Sequence, residues 1–260
     1  AFVELLRAVG AGLNSEKTAL GLMAAGGIAS GFLTAWRGAS GRAIRVALVA
    51  AAFAGALAPF ANQGAAAFLT AMATGCALGV ATVSMSAMIP CWCGVGWVGL
   101  GTGLGYAVCN FPAVFQQLPS IQAWIGAGFA LLGAVAVPGG GKWKSGNAPR
   151  VMPFAAAVLV FTALVWMDSA AFFIIQHARE LKSGTWGGGM LWRNAAIHLA
   201  FALAAGLWLM RGNARLLPWA AWVLLGIAAL AVNEASSRNL AGWIYPAAVS
   251  LYSTALVACL

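Results

Sequence analysis

Nine apolar runs divide this chain, nearly all of them 17 to 25 residues long, and the short connectors between them carry most of its charge. A helix rising 1.5 Å per residue needs about that length to cross roughly 30 Å of hydrocarbon. Hydrophobic residues make up 62% of the 260 and charged residues 7%. A soluble domain carries about 25% charged residues. One core could not hide so much apolar surface from water, so the sequence predicts an all-α membrane protein with lipid as its solvent. The 33 glycines suit close packing of helix on helix in a bilayer.

The predicted spans are 18–36, 43–61, 65–89, 91–115, 121–138, 151–175, 190–210, 216–232 and 241–260, and Ala1–Leu13 reads as half a helix. Abrupt apolar ends at Ala1 and Leu260 predict a longer protein at both termini. Turn residues mark the gaps, among them Pro59–Gly64, Pro119 and Arg211–Pro218. The longest connector is basic and glycine-rich and suggests a seam. It gives an N-terminal half-bundle at 1–138, a cytoplasmic linker at 139–150 and a C-terminal half-bundle at 151–260.

The net charge of +9 comes from residues at helix ends, which fits a topological signal better than a nucleic-acid surface. With the Arg37–Arg45 loop taken as cytoplasmic, Arg37, Arg42, Arg45, Lys142, Lys144, Arg150, Arg211 and Arg215 fall on one side. Lys17, Arg179, Lys182, Arg193 and Arg238 fall on the other, diluted by Glu16, Glu180 and Glu234. Trp36, Trp143, Trp186, Trp192, Trp219 and Trp243 sit near segment ends, as in an interfacial aromatic belt. The pattern predicts a multi-pass protein of a bacterial inner membrane.

Two stretches of the chain echo one another. Gly31–Gly38 closes the first full segment with Trp36-Arg37-Gly38, and Gly206–Gly212 closes another with Met210-Arg211-Gly212. A second basic residue follows each (Arg42 and Arg215), and Arg37 and Arg211 are 174 residues apart. Six intervening spans keep both copies in one orientation, which predicts two parallel-repeat halves. On these residues the chain resembles the major facilitator superfamily. The resemblance implies twelve helices, with the nine segments matching helices two to ten. The family's loop has Gly, four residues, Asp-Arg and then a Gly-Arg pair. Here Gly31, Arg37, Gly41 and Arg42 take those places, with Gly41 one residue late and Trp36 where the acid is expected. The resemblance implies alternating access to a central site. The missing acid favours a second expectation, a non-transporting subunit of a larger membrane complex.

Asp168 lies inside the apolar run 151–175, about seven residues from its outer end. An ionised carboxylate there is costly and needs a partner or a proton. Folding the next segment back brings Arg193, Asn194 and His198 to its depth, with Asn194 and His198 one turn apart. Two readings stand: a polar solute- or proton-coupling site built on Asp168 and His198, or an Asp168–Arg193 ion pair tying two helices. Tyr245 and Tyr252, seven residues apart with Ser250 and Ser253 nearby, line one helix face. In the resembled fold that helix borders the cavity; helix packing is the alternative. Asn110 beside Pro112 marks a break with three readings: a freed carbonyl met by a side chain, a freed carbonyl lining a cavity, or a plain kink. Glu4 and Arg7 form a local pair. Met85, Met88, Cys91 and Cys93 offer soft sulfur that would suit monovalent copper, a weaker candidate lacking a nearby His. No catalytic triad, P-loop or zinc spacing is present, so neither an enzyme nor a bound cofactor is expected. The expected partners are lipid, a small solute or a proton, and other subunits of a membrane complex.

The topology has a direct test. In a cysteine-free background, Ser40→Cys and Arg215→Cys should react with an impermeant maleimide from one side of the membrane, and Ser183→Cys from the other. Labelling of Ser40→Cys and Arg215→Cys from opposite sides would refute the parallel arrangement.

Overall fold

The computed structural model describes residues 13–61, 64–138, 154–187, 189–212 and 214–258. The Glu4–Arg7 pair and the 139–150 linker lie outside them. So do the side chains of Cys91 and Cys93. The helices are α1 (Leu13–Arg37), α2 (Gly41–Leu57), α3 (Gly64–Cys93), α4 (Val95–Cys109), α5 (Pro112–Phe115), α6 (Pro119–Ala136), α7 (Phe154–His177), α8 (Arg179–Trp186), α9 (Leu191–Met210), α10 (Leu217–Asn233) and α11 (Arg238–Ala258). A 3-10 turn, Ala235–Ser237, joins the last two. No β-strand element occurs among the described residues.

Each apolar run of the sequence holds a helix. Six contain stretches long and apolar enough to cross a membrane: Lys17–Arg37, Gly64–Met88, Pro119–Ala136, Val158–His177, Leu191–Met210 and Arg238–Ala258. Of the other three long helices, α2 and α4 are shorter than expected and α10 matches the expected length. α2 and α10 have 17 residues and α4 has 15. The expected break near 89–91 is absent, because α3 runs on through Pro90 to Cys93. The chain breaks instead at Gly94, whose φ of 72° favours glycine. The expected span 91–115 is likewise interrupted, with α4 ending at Cys109 and α5 beginning on Pro112.

Local chemistry sets several ends. The Ala43 N–H donates to Ser40 Oγ at 3.1 Å and caps α2. Pro119 and Pro218 open α6 and α10, where a missing N–H costs nothing. Gly38 (φ 92°) and Gly212 (φ 80°) stop α1 and α9, each directly after an arginine. Their N–H groups donate to Thr34 O and Leu209 O. The two echoing sequences thus share a positive-φ glycine after the arginine, while the Gly38 N–H reaches back four residues and the Gly212 N–H three.

Cα proximity divides the described residues into two compact units, one within 13–88 and 117–138 and the other within 89–116 and 154–258. The stretch 89–116 therefore groups with the C-terminal residues, whereas halves drawn at the 139–150 linker place it with the N-terminal ones.

In the first unit, α1 meets α3 backbone to backbone. A Cβ on Gly75 would strike the Met23 carbonyl, and one on Gly79 would strike that of Gly27. Gly31 lies inside α1, where a Cβ would stand 3.3 Å from Val83 Cγ2. Ser30 Oγ donates across the pair to Cys76 O at 2.9 Å. Separately, α2 packs on α6. Trp124 Nε1 donates to Ala56 O at 3.3 Å, and Arg45 Nη2 donates to Val137 O at 2.7 Å.

In the second unit, α4 lies along α9 through glycine. A Cβ on Gly99 would strike Ala202 O and the Gly206 backbone, and Gly103 faces Ala202 and Leu199. α11 packs against α4, α7, α8, α9 and α10. Two thirds of its most apolar 18-residue stretch is buried, 67% against 11–39% in the matching stretches of the other five candidate spans, so α11 is the axis of this unit. Leu164, Ile175, Leu209, Leu217, Leu225 and Leu251 fill the core around it.

Elsewhere large apolar side chains point outward, including Val135 at 83% exposed and Leu230 at 74%. Trp36, Trp192, Trp219 and Trp243 are more than half exposed near helix ends. Such surfaces suit lipid tails with a belt at the interface.

Gly99→Val tests the backbone contact. Its side chain cannot fit between α4 and α9, and overpacking should cost about 1–3 kcal/mol. Thermal unfolding in detergent should fall by several degrees, whereas Gly101→Val, in open space, should leave it unchanged.

Candidate functional site

Polar side chains in the second unit gather along both flanks of α11. On one flank, the Tyr245 hydroxyl donates to Asp168 Oδ1 at 2.9 Å. Tyr245 is buried and Asp168 half-buried. Asp168 stands nine residues before the end of α7 at His177, about 13 Å along the helix. The Trp186 ring meets Tyr245 edge-on at 6.4 Å and Phe172 at 5.6 Å. Phe172 is one turn beyond Asp168, so both project from the same side of α7.

On the other flank, buried His198 of α9 shares a 2.8 Å hydrogen bond between its Nδ1 and Ser250 Oγ. The Tyr106 ring of α4 stacks on the imidazole, 4.5 Å between centroids and 11° from parallel. Its hydroxyl shares a 2.8 Å hydrogen bond with Ser253 Oγ. Asn110 is buried one turn beyond Tyr106 and donates from Nδ2 to Tyr106 O at 2.9 Å, an oxygen that also accepts the Asn110 backbone N–H, whereas the carbonyl that Pro112 frees, Val108 O, accepts from the Phe111 N–H at 3.1 Å. Tyr252 is half-buried against the same core.

The expected Asp168–Arg193 ion pair is not formed. α7 packs against α8, α10 and α11, so the helix that receives Asp168 is α11 and not α9. Arg193 meets backbone oxygens instead. Nη2 donates to Gly242 O at 3.1 Å and Gly184 O at 3.2 Å, and also reaches Asn194 Oδ1 at 3.3 Å. Its guanidinium lies 5.0 Å from the Trp243 ring centre. Asn194 Nδ2 donates to Thr185 O.

Each of these carbonyls has a local reason to need a donor. Pro246, inside α11, has no N–H for the Gly242 carbonyl four residues earlier. Gly184 and Thr185 lie in the last turn of α8, where carbonyls lose their intrahelical partners. Arg193 and Asn194 therefore bind the short connector α8 to the tops of α9 and α11. Outside this node, Arg238 and Glu180 form an exposed ion pair at 3.4 Å. It is the ion pair found among the described residues, and such surface pairs contribute little.

Of the residues singled out from sequence, Asp168 and Tyr245 come together, as do His198 and Ser250. Arg193 and Asn194 serve the backbone. Gly31 serves helix packing. Arg37, Gly41, Arg42 and Arg211 sit at the helix ends around the turns, with both arginines of the first turn exposed. Met88 is buried in α3 and Met85 half-buried. Among the described residues no three His, Cys, Asp or Glu side chains form a metal-holding group. Sequence reasoning missed Tyr106 and Trp186 as site residues. The four-residue spacing of Tyr106 and Asn110 on one apolar helix was the available signal for the first. For Trp186 there was none, because its contacts are tertiary.

Comparison of the chain with protein-family models, curated proteins and solved structures finds no match.

Asn194→Ala should strip a buried donor from the Thr185 carbonyl and cost about 1–3 kcal/mol. Lower thermal stability, with faster proteolysis between α8 and α9, is the expected result. Unchanged cleavage would show that α8 is held by other contacts.

Proposed function

We propose that this chain is the membrane part of a secondary transporter of the major facilitator type, moving a small solute by alternating access with Asp168 as a proton-coupling residue. The observation that carries the proposal is Asp168 itself: a carboxylate well inside a candidate span, hydrogen-bonded to a buried tyrosine, with no cation beside it among the described residues. Ionisable groups in such positions are expensive, and they are retained chiefly where a solute or proton passes. The His198–Ser250 and Tyr106–Ser253 pairs extend the polar line along α11 toward α4 and α9. The like terminations at Arg37-Gly38 and Arg211-Gly212 support two parallel-repeat halves, with nine crossing helices corresponding to helices two to ten. On this reading, Arg37, Arg42, Arg211 and Arg215 face the cytoplasm of a bacterial inner membrane.

A second reading, a non-transporting subunit braced within a larger membrane complex, is favoured by Trp36. It stands where the family carries its loop acid, and it is 80% exposed at the end of α1.

The protein reconstituted in liposomes with an imposed proton gradient should take up protons with its solute. Asp168→Asn should reduce that uptake at least ~10-fold, about 1.4 kcal/mol or more in the limiting step. Unaltered uptake in Asp168→Asn would refute the coupling role. Purification only as a stable hetero-complex without uptake would favour the second reading.

A further inference from the structure

Asp168 has a surrounding that a proton-coupling role alone does not use. The carboxylate accepts from Tyr245, and Phe172 lies one turn along the same helix. Trp186 reaches over from α8 to touch both rings, at 5.6 Å from Phe172 and 6.4 Å from Tyr245. Three aromatic rings and one carboxylate are thus linked in a single cluster. Tyr245 is buried, Trp186 half-buried and Phe172 46% exposed, so the cluster is open at one edge.

We propose that Asp168, Phe172, Trp186 and Tyr245 form a recognition site for a small organic cation with an alkylammonium head. The proposal rests on the transporter reading and names its substrate class. A phenol donor is neutral and leaves the charge of an ionised carboxylate uncompensated. Arg193, the cation that the sequence offers as a partner, is occupied by Gly242 O, Gly184 O and Asn194 Oδ1. In a medium of low dielectric a bound cation recovers far more Coulomb energy than in water. The aromatic faces carry partial negative charge and attract cations within about 6 Å of the ring centre. An ammonium with methyl or methylene groups satisfies both features at once, since its charge meets the carboxylate and its apolar skirt meets the rings.

Other ligand classes fit less well. An anion would be repelled by Asp168. A hard metal ion seeks six or more oxygens in the case of calcium, or an octahedral set for magnesium. The cluster offers one carboxylate and one phenol. A neutral sugar would need several hydrogen-bonding groups where three of the four side chains are aromatic. Trp186 is the member that does not come from a candidate span. It is carried by α8, which Arg193 and Asn194 fix through its last carbonyls, so these two residues position the ring.

The test uses the full chain in lipid nanodiscs, with choline as the probe and its uncharged carbon isostere, 3,3-dimethylbutanol, as the control. Choline should raise the thermal midpoint and change tryptophan fluorescence, and the isostere should do neither. Asp168→Asn should weaken choline binding at least ~10-fold. Trp186→Leu should weaken it by about 3- to 30-fold, the span of a cation–π contact. Asp168→Glu, which keeps the charge, should retain binding and guards against a folding artefact. Equal affinity for choline and the isostere, or unchanged affinity in Asp168→Asn, would overturn the proposal. So would the absence of stabilisation by choline or tetraethylammonium while Asp168-dependent proton uptake persists. That result would leave the transporter reading standing with a proton as the occupant. Choline binding without movement of labelled choline into liposomes would instead keep the site and defeat the transporter reading.

Discussion

A backbone carbonyl without an intrahelical donor has no recourse in hydrocarbon, where each unmet polar group costs several kcal/mol. That constraint organises the second unit. Pro246 removes the donor for Gly242 O, and the end of α8 leaves Gly184 O and Thr185 O without theirs. Arg193 and Asn194 meet all three. A charged side chain near a helix end is thereby turned to backbone satisfaction, and Asp168 is left to a tyrosine.

The same solvent explains the glycines. Between helices surrounded by lipid there is no hydrophobic force to draw them together, so attraction comes from close van der Waals contact and interhelical hydrogen bonds. Gly75 and Gly79 bring α3 onto the backbone of α1, and Gly99 does the same for α4 on α9. Both contacts place small residues four apart on facing helices. The second of them fixes where Tyr106 stands relative to His198, and thus links packing to the polar line along α11.

Much of the helical layout was legible because lipid imposes simple arithmetic of length and polarity. Every predicted span holds a helix, with 91–115 divided among α3, α4 and α5, and the arginine-glycine turns fell at helix ends. Pro90 misled the segmentation. A proline removes one intrahelical hydrogen bond and can kink a helix without ending it, and here the helix ran on to Cys93 and broke at Gly94, where positive φ is cheap. The Asp168–Arg193 pairing failed for a different reason. Segments adjacent in sequence need not be neighbours in space, and α11 rather than α9 stands beside α7 and receives the carboxylate.

By itself the sequence determined the solvent, the helical class, the position of most turns and the identity of Asp168 and His198 as polar residues within apolar runs. These follow from composition and spacing, which depend only on the chain's own length scale. Only the tertiary structure decided the partners: Tyr245 for Asp168, Ser250 and Tyr106 for His198, and backbone oxygens for Arg193. The physical reason is that side-chain pairing depends on which helix lies beside which. That choice is made by glycine contacts and freed carbonyls many residues apart, which no local pattern encodes.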